Sequence, residues 1–171
     1  MKKCLAFFCF IFFFLSSPVY ADYILPYPSY MPGNRLYQIS RILDVFSQWW
    51  YWGNIASVKY RLKLADKYIV EAKTLFEYHQ YQLGVEALKR SDMQVSQIVK
   101  YLVLAKQENK DIKKMDSTIV DGMNAHITIL EKLSKELPET FTWTPEKQES
   151  TLLNFSQLFQ NAKMERMKLL K

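Results

Sequence analysis

The sequence predicts an all-α protein, an antiparallel bundle of four to five helices behind a Pro-rich N-terminal arm. Three observations predict it. Glycine and proline are scarce, 4 and 6 in 171 residues, while Leu, Lys, Gln and Ala, all good helix formers, are frequent. Apolar residues recur at steps of three and four in successive segments, which is the signature of one helix face. The breaks between those segments are short, as connections between antiparallel neighbours are.

Residues 1–21 read as an export signal. Lys2 and Lys3 precede an unbroken apolar run, Cys4 to Leu15, and Val19-Tyr20-Ala21 places small residues where signal peptidase cuts. The rival is a retained anchor, for which 12 apolar residues are short of the about 20 that a bilayer needs. Lipidation is disfavoured because Cys9 follows Phe8 and Cys4 follows two lysines. Cleavage after Ala21 removes both cysteines, so the mature chain has no thiol for a disulfide, a metal or nucleophilic catalysis. It also lowers the formal net charge from +6 to +4, with 21 Lys and Arg against 17 Asp and Glu. That mild basicity suits anionic surfaces. It lacks the dense Lys/Arg patch of a nucleic-acid binder.

Residues 22–33 hold Pro26, Pro28 and Pro32 among Tyr23, Tyr27 and Tyr30. Prolines at this density oppose helix and strand pairing alike, so an extended arm is expected. Its tyrosines are expected either to pack on the bundle or to dock elsewhere. The helical domain spans residues 34–171. Asn34 caps a first helix over residues 35–50, with Leu36, Ile39, Leu43 and Phe46 on one face. Trp49-Trp50-Tyr51-Trp52 follows. Trp49 and Trp52 continue the apolar stripe and are expected to be the more buried, and Trp50 the more exposed.

Asn54 is placed as the cap of a second helix, whose seam is Ile55, Val58, Leu62, Ala65, Ile69, Ala72 and Phe76. Lys59, Lys63, Lys67, Glu71 and Lys73 fall off that seam and are expected to be wet. A third helix covers residues 81–107, with Val85, Leu88, Val95, Val99, Leu102 and Ala105 inward and Asp92 as a polar interruption. Asn109 can take the left-handed conformation that ends it. A fourth covers residues 112–137, with Met115, Ile119, Met123, His126, Leu130 and Leu133 on one side. After Pro138, Thr144 and Pro145 are placed as the cap and first residue of a fifth helix containing Leu152, Phe155, Phe159 and Ala162.

Candidate chemistry is sparse. His79 reads as a surface or capping residue at the end of the second helix. His126 sits on an apolar seam, where a buried ring paired to a neighbouring side chain is expected. Haem ligation by His126 with Met115 or Met123 is conceivable, but the methionines are better explained as core filling. No His-Glu-x-x-His, Glu-x-x-His or His-x-x-x-His spacing occurs, and there is neither a Gly-x-Ser-x-Gly elbow nor a Ser-x-x-Lys pair. Glu71, Glu77, Glu86, Glu131, Glu136 and Glu139 read as solvated charge.

Tyr23-Ile24-Leu25-Pro26-Tyr27-Pro28, then Met31-Pro32-Gly33-Asn34-Arg35-Leu36-Tyr37, resembles the opening of an exported bacterial helical domain family of unknown function with a Leu-Pro-Tyr-Pro arm. Residues 59–68, 105–112 and 126–139 are similar to later segments of that family. The chain departs from it at Trp52-Gly53-Asn54, where an Asp-Pro turn is usual, and at Tyr68, where Arg is usual. The resemblance implies export and helical architecture, and it carries no catalytic residue.

Together these features point to a non-enzymatic binding or structural module of the cell envelope, without a cofactor or metal. Its partner is expected to be a protein or an envelope component, with peripheral membrane contact open and nucleic acid disfavoured. Trp49, Trp50, Trp52, Tyr27 and Tyr30 are the candidate contact residues. A periplasmic-type chaperone bundle is the alternative. A cell-wall enzyme is a further one, and it would need two carboxylates converging in a cleft.

Overall fold

A computed structural model describes residues 23–146 and 149–170. The expected export signal lies outside the described residues. The arm runs without regular structure from Tyr23 into α1 (Arg35–Ser47). Asn34 caps α1 as expected, its side-chain oxygen accepting the Leu36 N–H at 2.8 Å. A 3₁₀ turn, Gln48–Trp50, continues the helix. Next come α2 (Asn54–Glu77), α3 (Tyr81–Gln107) and α4 (Lys113–Glu136). Gly53, at φ +91°, occupies the cap position of α2, one residue before the Asn54 expected there. The Asn54 amide instead donates to Glu108.

His79 and Asn109 end α2 and α3 in the left-handed conformation, at φ 58° and 53°. Each carries the two backbone bonds that close a helix C-terminus, His79 N–H to Phe76 and Gln80 N–H to Leu75, then Asn109 N–H to Lys106 and Lys110 N–H to Ala105. Neither turn needs glycine, because a helix C-terminus tolerates a polar residue in this region.

The fifth core-forming segment differs from expectation. Residues 144–146 are not helical. β1 (Thr140–Trp143) pairs antiparallel with β2 (Thr151–Asn154), Phe141 opposite Leu153. The last helix, α5 (Phe155–Met167), starts after Asn154, whose side chain accepts the Gln157 N–H at 2.9 Å. Thr140–Trp143 alternates β-branched and aromatic residues, which suit a strand. The Thr144-Pro145 pair imitates a helix start inside the hairpin connection.

Contacts give the directions. Ser91 meets Ala65 and Arg90 meets Glu71, so α3 runs antiparallel to α2. Asp66 meets His126, and Leu62 lies beside Gly122, so α4 runs parallel to α2. Lys163 pairs with Glu131 and Arg166 meets His126, so α5 returns antiparallel to α4. Tyr37 reaches Glu71 and Ser40 reaches Lys67, so α1 is antiparallel to α2. The fold is therefore an up-and-down bundle with α1 laid on its outside.

The core has two large apolar clusters and a small third one, Tyr60, Leu64 and Tyr68. One of the large two gathers Val58, Leu62, Val95, Ile98, Ile119 and Met123. The other gathers Ile69, Phe76, Leu88, Leu130, Phe155 and Phe159, with Phe76 edge-on to both Phe155 and Phe159. The expected seams of α2 and α4 are inward. In α3 the seam passes through Ile98, and Val99 is exposed. No helix among the described residues is long and apolar enough to cross a membrane.

Candidate functional site

Helix α1 is turned opposite to expectation. Tyr37, Ser40, Arg41, Asp44, Ser47 and Gln48, at helical spacing, face the bundle. Leu36, Ile39, Ile42, Leu43, Val45 and Phe46 are exposed, and no residue of α1 is buried. The surface beneath explains the inversion. Lys67, Tyr68 and Glu71 of α2, with Arg90 of α3, present charge and hydroxyls there. The Tyr37 hydroxyl donates to Glu71 Oε1 at 2.7 Å, and Arg90 donates to the same oxygen at 2.8 Å. Lys67 Nζ donates to Ser40 Oγ and Asp44 Oδ2, and the Tyr60 hydroxyl donates to the Asp44 carbonyl at 2.7 Å.

The Tyr68 ring lies under the Arg90 and Arg41 guanidinium groups, at 5.6 and 5.9 Å from its centre. Burial, reinforced by Asp44, raises the Tyr68 hydroxyl above its ordinary pKa. An apolar face laid over this layer would take the Tyr37 hydroxyl from Glu71 and the Ser40 and Asp44 oxygens from Lys67, which costs more than exposing leucines. Glu71 and Lys67, expected to be solvated, are thus covered by α1.

The tryptophans extend the outward face. Trp49, Trp50 and Trp52 are 78%, 85% and 86% exposed. Trp50 is exposed, but no more so than Trp52. Trp49 and Trp52 are not the buried pair, because the stripe that they continue faces solvent. Tyr51 turns inward and stacks on Tyr60 at 4.4 Å. Of the arm tyrosines, Tyr27 is 93% exposed and Tyr30 about half exposed. Tyr23 is anchored, its hydroxyl donating to Asp66 Oδ2 at 2.6 Å. Burial and this carboxylate raise the Tyr23 pKa. Gly122 makes room for the ring, since a Cβ there would stand 3.1 Å from it.

Between the two large apolar clusters lies a second polar group that the sequence did not connect. His126 Nε2 is 2.8 Å from Asp66 Oδ1, and Arg166 Nε donates to His126 Nδ1 at 3.2 Å. Arg166 also donates to Asp92 at 2.6 Å, to Ser91 Oγ at 2.9 Å and to the Ala162 carbonyl at 2.7 Å. Because Arg Nε–H can only donate, Nδ1 accepts and the ring proton sits on Nε2, facing Asp66. Burial, ahead of every other influence, lowers the His126 pKa and favours this neutral ring. Asp92 is raised by burial against the pull of Arg166.

Both His126 nitrogens are engaged, so the conceivable haem ligation with Met115 or Met123 has no free nitrogen to use. The expected pairing of a buried His126 holds. Its partner Arg166 lies 40 residues on, beyond the reach of local patterning. His79 lies at the surface, its Nδ1 2.9 Å from the Tyr81 hydroxyl.

The class defined is an up-and-down helical bundle that carries an outward apolar helix and a tryptophan cluster. No family model matches the chain, and no curated protein and no solved structure is significantly similar to it.

Proposed function

We propose that this protein is an exported, non-catalytic docking module of the cell envelope, and that the outward face of α1 with Trp49, Trp50 and Trp52 seats it on a membrane surface. The observation that carries this reading is the inversion of α1. About half of its circumference is apolar and open to water, and monomers rarely expose so large a contiguous patch without a binding role.

Two features favour lipid over a protein partner. No carboxylate lies on the outward face, because Asp44 points inward, so nothing repels anionic headgroups. Tryptophan and phenylalanine on one helix face are the residues that interfacial helices use. The expected export signal supports a location in which such a surface meets a membrane.

Vesicle co-sedimentation of the purified protein tests the reading, with a double variant carrying Phe46→Ser and Trp50→Ser beside it. Wild type is expected to pellet with anionic phosphatidylglycerol vesicles and the double variant to stay in solution with unchanged melting. Wild type that ignores vesicles, or a double variant that binds equally well, overturns it.

A further inference from the structure

A groove of about 700 Å³ opens on a different face of α2 from the one that α1 covers. Its walls are Ile55 and Leu62 of α2, Met115 of α4, and Ile24 and Pro26 of the arm. Lys59 and Lys63, one turn apart on α2, and Lys114 on the first turn of α4 surround it. No carboxylate among the described residues lies within ion-pair distance of these three cations.

Two acids also border the groove, so that its lining holds three cations against two carboxylates. Asp66 accepts from Tyr23 and stands at His126. Asp111 accepts the Lys113 N–H at 3.1 Å at the start of α4. The volume falls within the roughly 300–1,000 Å³ of small-molecule sites.

We propose that this groove binds a long-chain fatty carboxylate, with the acyl chain on Ile55, Leu62 and Met115 and the carboxylate among Lys59, Lys63 and Lys114. An anion relieves the mutual repulsion of three ammonium groups at one mouth, which a neutral head cannot do. An apolar tail removes from water the exposed Ile24 and the half-buried Ile55, which a small inorganic anion would leave wet. Lysine suits the rim because its stem lies along apolar surface while its charge stays at the mouth. The site shares no residue with the outward face of α1, so it stands or falls independently of membrane docking.

Calorimetric titration of the purified protein tests it, with decanoate kept monomeric, decanol and inorganic phosphate as the probes. Saturable decanoate binding is expected, with decanol and phosphate each weaker by about tenfold or more. The triple variant Lys59→Gln, Lys63→Gln, Lys114→Gln changes only exposed side chains, and it is expected to lose about tenfold in decanoate affinity with decanol unaffected. Thr118→Phe, which fills the groove from its edge, is expected to weaken decanoate and decanol alike. The Phe46→Ser variant is expected to bind decanoate as wild type does. Absence of saturable decanoate binding, equal affinity for decanol, an unaffected triple variant, or loss of binding in Phe46→Ser would each overturn the proposal.

Discussion

Arg166 has no solvent contact, yet each of its three nitrogens finds an acceptor. Such a residue holds its surroundings in register more than it adds stability, because desolvating a guanidinium offsets most of what its bonds return. Removing it is a different matter. Arg166→Met leaves Asp92 facing an apolar side chain and His126 without its donor. A loss of about 3 kcal/mol is expected in urea unfolding, the low end for a broken buried pair because Asp92 keeps some access to water.

His126 gives the molecule an acid limit. Its folded pKa lies below the ordinary 6.5, so the unfolded chain takes up the proton first as pH falls. Its contribution is therefore complete above 6.5 and is lost as pH drops through the depressed folded value. Asp92, with its raised pKa, acts in the opposite sense. Unfolding midpoints at pH 7.5 and 5.5 are expected to differ in wild type and to converge in His126→Gln. An unchanged difference would show that other groups set the acid limit. At this scale the burial of His126 was legible from its seam, and the partnership of residues 66, 92, 126 and 166 was not. Periodicity reports which face a residue shares, not which distant helix lies opposite.

Helix α1 shows how a helix can satisfy the spacing rule and still be misread. Leu36, Ile39, Leu43 and Phe46 form a sound apolar stripe, but Tyr37, Ser40, Arg41, Asp44 and Gln48 form an equally periodic polar one. Which stripe faces inward depends on what α2 offers, and α2 offers Lys67, Tyr68 and Glu71. Those charges fall off the α2 seam, so the sequence hinted at a wet face where a polar interface stands. The seams of α2 and α4 were legible because each faces apolar neighbours. The hairpin was not, because strands of four residues are too short to outweigh the Thr-Pro signal between them. The inversion has a measurable consequence. Phe46→Ser is expected to change stability by no more than about 0.5 kcal/mol, as an exposed substitution does. Phe76→Ala, in the aromatic core, is expected to cost about 3–5 kcal/mol. A large loss at Phe46 in thermal or urea unfolding would place it in a core and contradict the orientation.

The whole molecule separates its roles by layer. Two apolar clusters and the Arg166 network hold α2 to α5 together, while α1 is held by polar contacts and keeps its apolar side free. The tryptophans and the lysine-rimmed groove lie toward the same end of the bundle, since Trp52 and Ile55 are three residues apart in sequence. The proposed membrane seat rests above all on the direction in which α1 faces, and the proposed fatty-acid groove stands apart from it. Thiol labelling tests that direction most directly, because the chain beyond residue 21 contains no cysteine. Single variants Phe46→Cys and Ser40→Cys, treated with a maleimide in native buffer and again in urea, compare the two faces of one helix. Accessible thiols react freely and covered ones do not. Phe46→Cys is expected to react in native buffer almost as fast as in urea, and Ser40→Cys far more slowly than in urea. Protection of the thiol in Phe46→Cys, beside free reaction of the one in Ser40→Cys, would contradict the account.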